Sequence, residues 1–265
     1  MKTILLTRTD RPSGAAVAFA LLGSRHELCA IIAEKRDSML TRKKSMAQVV
    51  ADALRAQGAG FVISKAAEML GIKLRRIFRR MGLVRQGPPY RSVGELLIDH
   101  AVNCFEVDDH NGREAIDIVE RLKPDILVLA NTRIIKGPLL AAAPRGCINL
   151  HLGKLPEYRG MASCFWEIYA GEKAGGVTVH RVDAGLDTGD IVARETVAIT
   201  PEDDEDTLYE KKLRIGAQLI CAALDLIESG GESPLRQDPG RARTYSLPSG
   251  AQRRELAQRR QERSS

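Results

Sequence analysis

The stretch TILLTRTDRPSGAAVAFALLGSRHELCAIIA, residues 3–33, decides the fold class. Residues 3–7 form a short apolar run, residues 15–22 are small and apolar over a helix-length span, and residues 28–33 return to a β-rich apolar run. Strand, helix and strand in that order predict a βαβ unit, whose crossover sets the two strands parallel. The expected class is α/β: a Rossmann-like open, mostly parallel sheet flanked by helices. The first turn, RTDRPSGAAV, lacks the GxGxxG pattern of a dinucleotide site, so a dinucleotide cofactor has little support where it should sit.

Downstream, the strand pattern vanishes between residues 38 and 91, where MAQVVADALRAQGAGFVISKAAEMLGIKLRRIFRRMG shows apolar residues at helical spacing; this predicts a helical insertion. The sheet is expected to resume after a helix over residues 112–122, with a buried strand in KPDILVLA, residues 123–130. Further strands are expected at residues 147–150, 177–182 and 191–199. PEDDED, residues 201–206, precedes TLYE, where Thr207 and Glu210 have capping-box spacing for a helix running to residue 229. The chain beyond residue 229 is turn-rich, and its last fifteen residues read as a polar helix or as disordered chain. The expected division is a catalytic domain over residues 1–200, with its insertion, and a C-terminal helix and basic tail over residues 201–265.

The composition is that of a folded globular chain: 265 residues, 44% hydrophobic and 28% charged. Five cysteines lie far apart with no Cys/His cluster at metal-ligand spacing, so neither a disulfide frame nor a metal site is expected. The opening MKTILLTRTDRPSG has too short an apolar core for a signal peptide, and no segment approaches the roughly 18 apolar residues of a membrane span. The expected compartment is the cytoplasm. A net charge of +6 is concentrated in residues 36–91 and in the tail RRELAQRRQER. Both runs read first as solvated helix faces, and a nucleic-acid partner is disfavoured.

Chemistry concentrates between these basic regions. CINLHLGKLPEYRG, residues 147–160, puts Asn149 and His151 two apart at the end of an apolar strand, so both side chains share one face. The carboxyl ends of parallel strands are where open α/β sheets bind ligands. A second segment, HRVDAGLDTGD, residues 180–190, brings three aspartates among glycines. Acyl transfer to an amine needs an oxyanion donor, a proton acceptor and a group that orients the acceptor. Asn, His and Asp supply these, and their joint spacing weighs more than any one of them in a loop. His180, inside VTVHRV, has no comparable support and reads as a structural histidine. Phe165, Trp166 and Tyr169 fall on an expected helix and read as core.

These motifs resemble the folate-dependent formyltransferases, a family that includes glycinamide ribonucleotide, methionyl-tRNA and sugar-nucleotide enzymes. INLH, the loop LPEYRG and GLDTGDI occur in order, with Asp187 thirty-six positions after His151. The resemblance implies 10-formyltetrahydrofolate as donor and catalytic roles for Asn149, His151 and Asp187. It also implies that the pterin is cradled by Ala130, Asn131, Thr132, Arg133, Ile134 and Ile135, and by Val182, Asp183 and Leu186. The loop LGKLP and the strand end NTRII depart from the common PSLLP and GFxRIL patterns. By the same resemblance a tRNA acceptor would bring a C-terminal domain of about 100 residues, whereas some sixty-five residues follow Thr200 here. A nucleotide-linked amino sugar is therefore the expected partner, with another small amine or water as alternatives. A catalytically silent nucleic-acid-binding protein is the reading from another class, and a homodimer is left open.

Overall fold

A computed structural model describes residues 1–9, 11–35 and 90–264. The opening is the expected βαβ unit: β1 (Lys2–Arg8), α1 (Pro12–Leu22) and β2 (Glu27–Glu34). Pro12 sits in the first helical turn, where its missing N–H costs nothing. The helical insertion expected over residues 38–91 lies, apart from Tyr90 and Arg91, outside the described residues.

After it come α2 (Val93–Asp99), β3 (Cys104–Val107), α3 (Arg113–Leu122), β4 (Ile126–Ala130), α4 (Gly137–Leu140) and β5 (Cys147–His151). The sequence reading missed α2 and β3, whose short runs VGELLID and CFEV carry too little periodicity to declare a type. Gly112 is the N-cap of α3 rather than its first residue. Then come β6 (Arg159–Gly160), α5 (Ser163–Tyr169), β7 (Ala174–Arg181), β8 (Ile191–Ala198), α6 (Glu205–Ser229), β9 (Thr244–Tyr245) and α7 (Gly250–Ser264).

Seven strands form one sheet in the order β3-β2-β1-β4-β5-β7-β8. The first five are mutually parallel, and β7 and β8 are antiparallel additions. The order reverses between β1 and β4, the kind of switch point at whose carboxyl ends open α/β sheets bind ligands. Strand alternation divides the core into two layers. Leu5, Ile31, Val128, Ile148 and Val177 pack on one side with α1, α2 and α6. Ile4, Leu6, Ile32, Leu127 and Leu129 pack on the other with α3 and α4.

The helix α6 begins one turn before the capping box read from sequence. Asp204, not Thr207, is the N-cap: its carboxylate accepts from the Thr207 N–H at 2.8 Å, and Thr207 Oγ1 accepts from the Asp204 N–H at 2.8 Å. Asp at the cap with Thr three residues on satisfies two orphan donors reciprocally, so Glu210 is not needed. The helix ends on Gly230 at φ 67°, the left-handed C-cap that glycine adopts without penalty. Gly250–Ser264 are helical, so over these residues the polar-helix alternative holds. Among the described residues no helix is long and apolar enough to cross a membrane.

Candidate active site

The antiparallel joint between β5 and β7 builds the site. Asn149 stands opposite His180 and His151 opposite Thr178 in the β5–β7 register, so four polar side chains from two strands share one face of the sheet. Asn149 Nδ2 lies 3.1 Å from His180 Nε2. The loop between β7 and β8 folds over this face and brings Asp187 to it, in a left-handed backbone conformation at φ 53°. The Asp187 carboxylate spans both imidazoles, with Oδ2 3.5 Å from His151 Nδ1 and Oδ1 3.5 Å from His180 Nε2. The three residues singled out from sequence are thus brought together, and His180 stands between two of them.

Each ring has its second nitrogen fixed by backbone. His151 Nε2 donates to the Tyr158 carbonyl at 2.6 Å, which leaves its Nδ1 lone pair facing Asp187. His180 Nδ1 donates to the Arg181 carbonyl at 2.7 Å, which leaves its Nε2 lone pair for the Asn149 amide. Gly153 makes the first arrangement sterically feasible, since a Cβ there would lie 2.5 Å from His151 Nε2. The Gly160 N–H donates to Asp187 Oδ2 at 2.8 Å and ties the loop after β5 to the carboxylate.

Electrostatics separates the two key groups. Burial works against ionisation of Asp187, but its close approach to the His180 and His151 rings and the Gly160 N–H outweigh it and bring the carboxyl down to about 2. Burial pushes the His151 imidazole below its usual value, with Asp187 opposing the shift and His180 and Lys212 adding to it. At neutral pH the pair is a carboxylate beside a neutral imidazole. Such a pair can accept a proton at Nδ1 and hold it against the carboxylate.

The two loops expected to hold a pterin are built differently. Ala130 ends β4 in the interior, Asn131 turns the chain at φ 57°, and Thr132 is half-buried. Arg133 Nε pairs with the buried Glu34 Oε1 at 2.5 Å, and Asn111 accepts from the Lys136 N–H at 2.7 Å and donates to the Ile134 carbonyl at 3.0 Å. The Ile135 side chain is spent in the core, leaving only its backbone for a ligand. In the other loop the Val182 N–H donates to the Cys147 carbonyl at 3.0 Å, and Asp183 accepts from Gly185 N–H and Thr188 Oγ1. Ile134 and Leu186 are large apolar side chains left 46% and 41% exposed, one in each loop. Large apolar side chains exposed in this way are available for contact with a ligand.

His180 reads from sequence as a structural histidine, whereas the structure puts it against Asn149 and Asp187; the backbone of Tyr158 and Gly160 carries no signal in the sequence. The only local signal was that β5 and β7 each alternate apolar and polar residues, with Asn149 and His151 on one and Thr178 and His180 on the other. Which polar pair meets which depends on register, and register is not local.

A family model described as formyl transferase matches residues 16–224, which enclose all four side chains. The chain belongs to the formyl transferase family. Among its relatives, the methionyl-tRNA formyltransferase of Trichlorobacter lovleyi is 36% identical over 154 residues, covering 58% of this chain and 48% of that protein. The corresponding enzyme of Anaeromyxobacter dehalogenans is 41% identical over 122 residues, covering 46% and 39%. This formyl transferase chain thus spans about half the length, or less, of those relatives. Among solved structures, the N-formyltransferase of Helicobacter canadensis in complex with folinic acid and dTDP-3-aminofucose aligns with a TM-score of 0.58 at 17% identity, covering 93% of this chain and 71% of that one. Phosphoribosylglycinamide formyltransferase of Bacillus halodurans aligns at 0.57 and 21% identity, covering 88% and 97%. These likenesses establish the fold.

Proposed function

We propose that this chain transfers a formyl group from 10-formyltetrahydrofolate to a primary amine. The observation that carries the reading is the Asp187 carboxylate set 3.5 Å from both His151 and His180, with Asn149 hydrogen-bonded to His180. The folate supplies an activated formyl carbon; the residues of the chain do the rest. Asn149 has a second amide N–H beyond the one directed at His180, and this donates to the formyl oxygen as that oxygen gains negative charge. His151 accepts the proton of the attacking amine at Nδ1, and Asp187 stabilises the imidazolium so formed. The ring would return this proton to N10 of the folate as the formyl C–N10 bond breaks and tetrahydrofolate leaves. The backbone of residues 131–135 and the side chains of Ile134 and Leu186 would hold the pterin.

For the acceptor, a nucleotide-linked amino sugar is the preferred reading. Its support is the alignment over 93% of this chain with a sugar N-formyltransferase, together with the +6 net charge, which favours a diphosphate-bearing substrate. The methionyl-tRNA formyltransferases matched in sequence make methionyl-tRNA the second reading. The test is incubation with 10-formyltetrahydrofolate and, separately, nucleotide-linked amino sugars, methionyl-tRNA, free amines and water, following folate release and product mass. Formylated sugar nucleotide supports the preferred reading. Formylation of methionyl-tRNA alone replaces the acceptor, and folate release into water alone replaces transfer by hydrolysis.

A further inference from the structure

The segment after α6 carries one side chain with an unusual set of partners. Residues 233–240 are exposed except for Gln237, which is half-buried. Its Oε1 accepts from Arg159 Nε at 3.0 Å and Nη2 at 2.7 Å. Its Nε2 donates to the Asp187 carbonyl at 2.9 Å and the Gly189 carbonyl at 2.7 Å. Both donors and both lone pairs of the amide are therefore used. One side of the amide grips the residue before Gly160, whose N–H holds the Asp187 carboxylate; the other grips the backbone of Asp187 itself.

The surrounding chain reinforces this bolt. Leu235 exchanges both backbone hydrogen bonds with Ile191 at 2.9 Å, which anchors the segment to the start of β8. β9 pairs with β6 through Arg159↔Thr244 and Gly160↔Tyr245. Asp187 itself occupies a left-handed conformation at φ 53°, which for a non-glycine residue costs energy unless neighbours over-determine it. Gln237 supplies two of the hydrogen bonds that do so.

We propose that Gln237 is a positioning residue for the Asp187 carboxylate, contributed by a segment beyond the matched formyl transferase region, residues 16–224. It acts through the peptide of Asp187 and through Arg159, and touches neither reacting group. This rests on the reading of Asp187 as the partner of His151 in formyl transfer. Without the amide, the turn at Asp187 relaxes and the carboxylate leaves its place between the two imidazoles. The charged and titratable groups facing His151 are Asp187, His180 and Lys212; of these only Asp187 favours the protonated ring, so its departure lowers the His151 pKa further.

The test uses the full chain with Gln237→Met, which keeps the volume and removes every hydrogen bond, and Gln237→Glu, which keeps the acceptor for Arg159 and loses the donor to Asp187. Both are expected to lower kcat about 10-fold to 100-fold, the scale of a misplaced catalytic group, while KM for either substrate moves less than about threefold. Titration of the His151 ring by NMR, which needs no turnover, is expected to move to lower pH in Gln237→Met. Normal kcat in Gln237→Glu, an unmoved His151 titration in Gln237→Met, or failure of both variants to fold would each overturn the proposal. A wild-type chain that formylates no amine would sink the reading of the reaction while leaving the titration to decide the role of Gln237.

Discussion

Asn149 and His180 face each other across the antiparallel β5–β7 pair, the amide nitrogen 3.1 Å from the imidazole Nε2. Because His180 Nδ1 is committed to the Arg181 carbonyl, Nε2 presents a lone pair, and that lone pair fixes which end of the Asn149 amide points into the site. His180→Ala is expected to free the amide to rotate. A neutral hydrogen bond is worth about 1 kcal/mol net, so kcat should fall roughly fivefold to tenfold. Steady-state kinetics measures this; an unchanged kcat would leave His180 a purely structural histidine.

The pairing of His151 with Asp187 makes a prediction about pH. Burial holds the imidazole low and Asp187 partly offsets that. In Asp187→Asn the offset is gone, so the His151 pKa falls further and the neutral ring survives to more acid pH. The acid limb of the kcat profile is therefore expected to move to lower pH, while the plateau drops by about 10²-fold to 10⁴-fold. A limb that stays where it is in the wild type would count against His151 as the proton acceptor.

Below the loop after β5 lies a fully buried ion pair between Lys212 of α6 and Glu167 of α5. Glu167 Oε1 also accepts from the Lys154 N–H at 3.2 Å and the Gly176 N–H at 3.1 Å, and Lys212 Nζ donates to the Leu152 carbonyl at 3.0 Å. Removing one partner strands the other charge in the interior. Lys212→Met is expected to destabilise the fold by roughly 3–5 kcal/mol, whereas Lys212→Met with Glu167→Leu should recover part of the loss. Urea denaturation reads both, and equal midpoints for the single variant and the wild type would refute the expectation.

Gly160 sits at φ 88° with the Tyr245 carbonyl oxygen 2.3 Å from where a Cβ would stand. Gly160→Ala should push β9 away from β6 and break the Met161 N–H to Tyr245 carbonyl bond of 2.8 Å. Tyr245 would then lose its stack on Tyr158, whose ring centroid lies 5.4 Å away. Limited proteolysis is expected to cut the variant faster than the wild type between residues 231 and 249; identical cleavage would contradict the prediction.

Sequence alone determined a mostly parallel α/β sheet and singled out Asn149, His151 and Asp187, because alternation, helical periodicity and short motif spacing are local properties of the chain. It could not determine α2 and β3, whose runs are too short to show a period, or the cap at Asp204, where several acids compete for one position. Tertiary structure decided what surrounds the motif residues. The register of β7 on β5 puts His180 beside Asn149, and a turn-rich segment after α6 returns across some fifty residues to put Gln237 on Asp187. Both are hydrogen bonds between residues far apart in the chain, and their partners depend on how strands align and where a loop folds back, which no local pattern encodes.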